Sequence, residues 1–132
     1  MKYFVTIEKK ADGYIAYNKE LESTVIGTGA TVEEAKRDYM NSLKEIEEVC
    51  IEEGTPVPDV CKIDPSFKFD LSSLFEYYSS INVAGFAKFV GINATLLRQY
   101  KKGNTYISEK QLQKIEDGIH KLGEELVALK LV

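Results

Sequence analysis

Residues 88–102 contain the side chains whose chemistry is easiest to assign, and that chemistry is the binding of nucleic acid. Lysine and arginine neutralise phosphates, whereas asparagine, threonine and glutamine can bond to base edges. Residues 88–114 carry six basic side chains and one acidic side chain, although the net charge of the chain is −4. We therefore expect seven residues to contact double-stranded DNA: Lys88, Asn93, Thr95, Arg98, Gln99, Lys101 and Lys102.

The side chains that could catalyse a reaction or hold a metal form no recognisable pattern. His120 is the single histidine, and Cys50 and Cys61 have ten residues between them, which matches no zinc motif. The segment "GTGATVEE" has two glycines before a predicted helix but lacks the lysine and further glycine of a phosphate-binding loop. We expect no catalytic residues, no metal, no cofactor and two free thiols.

Alternation of apolar and polar residues predicts that the first part of the chain is a sheet. "KYFVTIE", "YIAYNKEL" and "STVIGTG" read as three strands, and "VCKIDPSFKFD" reads as a fourth strand at an edge because Pro65 cannot donate a backbone hydrogen bond. Between them, Thr31 and Glu34 form a predicted capping box, followed by a helix that ends at Gly54. This order predicts an α+β protein with a βββαβ domain over residues 1–66.

The second half, residues 70–132, is predicted to be all helical. Asp70, Asn82, Asn93 and Ser108 are the expected N-caps. The segment "FAKFVGINATLLRQYKKG" resembles the Cro/repressor class of helix-turn-helix, because Ala87, Gly91, Ile92, Leu97 and Tyr100 occur in the required order. The alternative is an ordinary helical bundle whose lysines are solvated.

The last helix has apolar residues at alternating intervals of three and four from Leu112 onwards, which is typical of a coiled-coil seam. The seam can pack on the helix-turn-helix core of its own chain, which would account for its first residues. Its later residues extend further, so we expect a homodimer or higher homo-oligomer with contacts from Ile119, Leu122, Leu126 and Leu129.

Over its whole length the chain resembles the HicB antitoxins of bacterial toxin–antitoxin pairs. The opening strand, "DGYIAY" and the strand-to-helix junction "TVEEA" carry the resemblance, together with the helix-turn-helix. The resemblance implies that a degenerate ribonuclease-H-like domain binds a small mRNA-cleaving toxin of the HicA type, while the second domain represses their shared promoter. Where the family often has a Leu-Pro-Gly-Cys-like segment, this chain reads "LEST".

The charge distribution agrees with that expectation, because residues 1–81 carry 9 basic and 16 acidic side chains and suit a basic partner. Glu8, Glu20 and Glu22, at predicted strand ends, are the expected toxin contacts, unless they serve as edge guards against aggregation. The alternative function is a stand-alone transcriptional regulator whose first domain binds a ligand or dimerises. No apolar run approaches the ~20 residues of a membrane span, and "MKYFVTIEKK" is not typical of a signal peptide, so we expect a cytoplasmic protein.

Overall fold

The computed structural model describes residues 2–101 and 106–132 and shows an α+β protein. The strands are β1 (Lys2–Lys10), β2 (Gly13–Asn18), β3 (Ile26–Gly29) and β4 (Asp64–Phe69). The helices in the described ranges are α1 (Val32–Glu53), α2 (Asp59–Lys62), α3 (Leu71–Tyr77), α4 (Val83–Val90), α5 (Ala94–Lys101) and α6 (Glu109–Ala128). Over these residues, no helix combines the length and apolar character needed to cross a membrane.

The four strands form one mixed sheet in the order β3-β2-β1-β4. β1 pairs antiparallel with β2 and parallel with β4, and β2 pairs antiparallel with β3. The edge position predicted for the fourth strand is confirmed. Its predicted start was wrong, because Asp59–Lys62 forms a short helix after Pro58, and Val60 is buried where its carbonyl accepts a hydrogen bond from the Tyr3 hydroxyl at 2.9 Å.

Helix α1 covers one face of the sheet, and two glycines let it approach the backbone of β3. A β-carbon added to Gly27 would lie 2.3 Å from the backbone nitrogen of Tyr39, and one added to Gly29 would lie 2.5 Å from Cβ of Glu34. The "GTG" segment therefore has a packing role, since only glycine leaves room for the helix. Ala35, Tyr39 and Leu43 are the buried residues of the helix, as the periodicity predicted.

A buried polar chain fixes α1 to the sheet. The hydroxyl groups of Tyr3 and Tyr39 lie 3.1 Å apart, and the Tyr39 hydroxyl donates to Oδ1 of Asn18 at 3.0 Å. The same Asn18 oxygen accepts from the backbone N–H of Val25 at 2.8 Å, and its amide nitrogen donates to the carbonyl of Ser23. Burial raises the pKa of both Tyr39 and Tyr3, so both phenols stay neutral at physiological pH.

The helical half begins directly at the end of β4. Phe69 packs against both buried clusters, the one beneath α1 and the one among α3–α6. The backbone N–H of Asp70 donates to the carbonyl of Ile7 at 2.8 Å, while its carboxylate accepts from the N–H of Ser72 and caps α3. The backbone N–H of Lys9 donates to the Ser73 hydroxyl at 2.9 Å. The sheet and the helices therefore share hydrogen bonds as well as a core residue.

The predicted N-caps are confirmed, but neither capping box closes as expected. Thr31 accepts from the N–H of Glu34 at 3.1 Å, while the Glu34 carboxylate accepts from Ala30, one residue before the cap, at 2.8 Å. Ser108 accepts from the N–H of Gln111 at 3.2 Å. The Gln111 side-chain oxygen is buried and has no hydrogen-bond partner among the described residues, so the return bond is missing there too.

Gly118 allows α6 to cross close to α4. A β-carbon at this position would lie 2.5 Å from Cγ2 of Val90 and 3.5 Å from Cζ of Phe86. Gly123, five residues later in the same helix, has no atom within 4 Å of such a carbon. The first glycine is therefore required by packing, whereas the second only reduces helix propensity.

We expect opposite effects when each of these glycines is replaced by alanine. Gly118→Ala should lower the free energy of unfolding by about 1–2 kcal/mol, since the overpacking cost exceeds the gain in helix propensity. Gly123→Ala should raise it by up to about 1 kcal/mol. Urea denaturation of the two variants measures both values, and a stabilised Gly118→Ala would contradict the close α4–α6 crossing.

Candidate nucleic-acid interface

Helix α4 packs in the core behind the candidate interface. Asn82 caps it through a 2.8 Å hydrogen bond from the N–H of Gly85. Its buried residues include Phe86 and Ala87, and Ala87 has no exposed surface at all. A small side chain at this position lets a second helix cross nearby, as the sequence pattern required.

The turn between α4 and α5 is held by backbone geometry and by a distant lysine. Gly91 has φ +80°, a left-handed conformation that disfavours other residues, and its N–H and that of Ile92 both donate to the carbonyl of Ala87. Ile92 is buried. From α6, Nζ of Lys114 donates to the carbonyl of Gly91 at 3.2 Å. No local pattern in the sequence indicated this role for Lys114.

Helix α5 presents one face to the core and the other to solvent. Leu97 and Tyr100 are buried, whereas Thr95, Arg98 and Gln99 are exposed together on what we call the α5 outer face. These three positions are spaced by three and four residues, so they lie side by side on the helix. The arrangement gives one guanidinium, one carboxamide and one hydroxyl on a common surface.

Asn93 has a structural task as well as the predicted contact with DNA. Its Oδ1 accepts hydrogen bonds from the N–H groups of Thr95 at 2.9 Å and Leu96 at 3.2 Å, so it caps α5. Its side-chain oxygen is thereby occupied, and its amide nitrogen remains for another partner. The side chain is exposed at the same end of the helix as Thr95.

The basic residues near this surface are available to bind phosphate. Lys88, in the last turn of α4, and Lys101, in the last turn of α5, are exposed. Within residues 2–101 and 106–132, ion pairs form only from Lys10 to Glu8 and from Arg37 to Glu33. The predicted contact at Lys102 lies outside the described residues.

The predicted dimer residues divide into two groups. Ile119 and Leu122 are partly buried against the helical core of their own chain. Leu126 is 57% exposed, and Leu129 is 61% exposed and lies just beyond the end of α6. Only the last two are therefore free to contact a second copy with most of their surface.

The three predicted acidic contacts also differ in their surroundings. Glu20 and Glu22 are exposed between β2 and β3, whereas Glu8 accepts a hydrogen bond from the Tyr17 hydroxyl and pairs with Lys10 at 3.0 Å. Burial opposes ionisation of Glu8, but these two partners outweigh it, and its pKa lies below the ordinary value. Ionised Glu8 therefore stabilises the fold above its unfolded pKa, and that contribution is lost as the pH falls through its folded pKa.

The described parts of the chain bring together no cluster of three or more histidine, cysteine or acidic side chains suited to a metal ion. Cys50 and Cys61 are free and half-buried, and Sγ of Cys61 lies 3.4 Å from the carbonyl of Leu43. Burial, followed by the charge of Glu47, raises the pKa of the Cys61 thiol, which favours its unreactive form.

Comparisons of this chain with protein-family models, with curated proteins and with solved structures found no match.

We expect two substitutions of Asn93 to test whether its side chain caps α5. Asn93→Ala should lower the free energy of unfolding by about 1 kcal/mol, while Asn93→Ser should leave it nearly unchanged because serine is an equally good cap. Thermal or urea unfolding of both variants measures this difference. If Asn93→Ser destabilised the chain as much as Asn93→Ala, the capping role would be wrong.

Proposed function

We propose that α4 and α5 form a helix-turn-helix and that the chain represses transcription by binding double-stranded DNA at its own promoter. The observation that carries this proposal is the α5 outer face, where Thr95, Arg98 and Gln99 are exposed on a helix held by a tight turn. Arg98 and Gln99 are suited to base edges in the major groove. Lys88 and Lys101 flank them and are suited to phosphates.

Two copies would give such a repressor two recognition helices. Leu126 and Leu129 extend past the helical core and are mostly exposed, which supports a homodimer formed through the end of α6. In a symmetric dimer the two α5 helices contact successive half-sites, so the operator is expected to be an inverted repeat.

The second part of the proposal is that the first domain binds a small basic toxin of the HicA type, so that the chain acts as an antitoxin. Helix α1 supports this part, because residues 32–53 contain eight acidic and three basic side chains. Most of the acids are exposed on the side of α1 that faces away from the sheet, including Glu45, Glu48 and Glu52. A surface of this charge attracts a protein whose own function is to bind RNA.

The sheet topology supports the same reading. The strand order β3-β2-β1-β4, with α1 on the connection from β3 to the parallel β4, is compatible with a reduced ribonuclease-H-like domain. Such a nuclease holds two metal ions with carboxylates, and the first of these carboxylates, in the middle of the first strand, is missing because Val5, Thr6 and Ile7 occupy that position. This absence favours a binding role for the domain over a catalytic one.

One observation favours the alternative of a ligand-sensing regulator. A cleft of about 560 Å3 lies between the sheet and α6, and its walls include Ile7, Phe69, Leu74 and Ile119. A volume of this size accommodates a small molecule. In that case no toxin would be needed, and a ligand would bind between the sheet and the DNA-binding helices.

For DNA binding we expect two classes of variant. Arg98→Ala should weaken binding to the upstream DNA of the chain's own reading frame by about 1–3 kcal/mol and relax preference at one base pair. Lys101→Ala should weaken binding to all sequences alike and reduce the slope of log affinity against log salt concentration by about one. Fluorescence anisotropy at several salt concentrations measures both effects.

The matched control for Arg98→Ala is Arg37→Ala, which removes an exposed arginine from α1. This control should leave DNA affinity unchanged. If Arg98→Ala and Lys101→Ala behaved like the control, α5 would be a structural helix and the repressor proposal would fail.

For toxin binding we expect dependence on the charge of α1. The chain should co-purify with the small basic protein encoded by the neighbouring reading frame, and that protein should arrest growth when expressed alone. Replacing Glu45, Glu48 and Glu52 by glutamine should slow association and weaken its salt dependence.

Replacing Glu124 and Glu125 of α6 by glutamine is the control, because both residues are exposed and lie far along the chain from α1. Stopped-flow or biosensor association rates distinguish the two sets of variants. If no basic protein co-purifies and growth is indifferent to the chain, the ligand-sensing regulator becomes the better account.

A further inference from the structure

The face of the sheet opposite α1 has a composition unlike the rest of the acidic first half. We call it the open sheet face and define it by Phe4, Tyr17, Ile26 and Lys68, whose positions in the strand register put them on the side away from the helix. Phe4 is 39% exposed and Ile26 is 53% exposed. Both side chains are therefore accessible to a partner, whereas Thr6, on the same face, is buried.

Three aromatic rings lie on or over this face. Tyr106 joins Phe4 from the segment before α6, with the ring centroids 5.1 Å apart, and it is 49% exposed. Tyr17 lies on the same face in the neighbouring strand, opposite Thr6. Partly exposed rings at such spacing are a surface on which flat bases can stack.

Lysines stand beside the aromatic rings. Nζ of Lys68 lies 6.0 Å from the centroid of Phe4, and Nζ of Lys19 lies 5.4 Å from the centroid of Tyr17. Lys2 and Lys10 occupy the two ends of β1 on the same face. Three acids lie near these four lysines: Glu8 and Asp64 in the strand register, and Asp70, which follows β4 in the same alternation as Lys68. Glu8 is paired with Lys10 at 3.0 Å.

We infer that the open sheet face binds single-stranded nucleic acid, with bases stacked on Tyr106 and Phe4 and phosphates beside the lysines. Aromatic rings and charge together favour this occupant, because the face has lysines beside partly exposed rings and a small excess of positive charge, whereas α1, on the other side of the same sheet, is strongly acidic. A basic protein would be attracted to α1 rather than to the open sheet face. The inference concerns a second surface and does not depend on the repressor or antitoxin proposals.

The test uses the full chain and fluorescein-labelled ten-nucleotide strands of oligouridylate and oligothymidylate, with binding followed by anisotropy. Tyr106→Ala should weaken binding about fivefold or more, since one stacking platform is lost. Lys68→Gln is a second variant that removes charge without removing packing of the rings. With three or four phosphates neutralised, raising salt from about 50 to 200 mM should weaken binding about twenty- to fiftyfold.

Two controls locate the site. Tyr77→Ala removes a tyrosine of similar exposure, 46%, that lies on α3 outside the open sheet face, and it should leave oligonucleotide affinity unchanged. Arg98→Ala should also leave it unchanged while lowering affinity for duplex DNA. The experiments can therefore contradict the single-strand site and the proposed duplex site independently of each other.

Three outcomes would overturn the inference. The first is that the unaltered chain does not bind either oligonucleotide at low salt. The second is that Arg98→Ala abolishes binding while Tyr106→Ala and Lys68→Gln do not, which would place the strand on α5. The third is that these two variants lose a basic protein partner but keep the oligonucleotides, which would make the face a protein-docking surface.

Discussion

Six consecutive residue pairs join β1 to β4 in parallel, from Lys2 opposite Asp64 to Ile7 opposite Phe69. Parallel strands need a crossover connection, and here β2, β3, α1 and α2 all belong to it. The pairing also decides where the chain leaves the sheet, because the N–H of Asp70 bonds to the carbonyl of Ile7. The position of α3, and through it that of the helices that pack on α3, depends on this one ladder.

The features that the sequence predicted correctly are those that depend on neighbouring residues in the chain. Each of these features depends only on residues that are close in the sequence. Examples are the N-caps Asp70 and Asn82, the left-handed Gly91 and the apolar periodicity of α1. The features that sequence missed depend on distant partners. Lys114 donates a hydrogen bond to a carbonyl 23 residues away, and Gly118 leaves the space that Val90 of another helix occupies. Neither contact can be recognised from the residues next to it in the sequence.

The candidate site shows the same division. The exposure of Thr95, Arg98 and Gln99 follows from helical period once Leu97 and Tyr100 are assigned to the core, so it could be read from sequence. The pairing of Glu8 with Tyr17 could not, because it depends on the register of β1 against β2. For the same reason the overall charge does not show the contrast between the two sides of the sheet, one covered by an acidic helix and the other with lysines beside aromatic rings.

The ladder between β1 and β4 also sets an order of events in folding. Its closure must bring together residues about sixty positions apart, and the entropic cost rises with the logarithm of that separation. Contacts among α3, α4 and α5 are short-range in sequence and form faster. On the ribosome, however, β1 emerges first and has no β4 to pair with until Phe69 has been made. A nascent chain therefore exposes one edge of β1 for about half of its synthesis, while the helices made last depend mainly on contacts that are short-range in sequence.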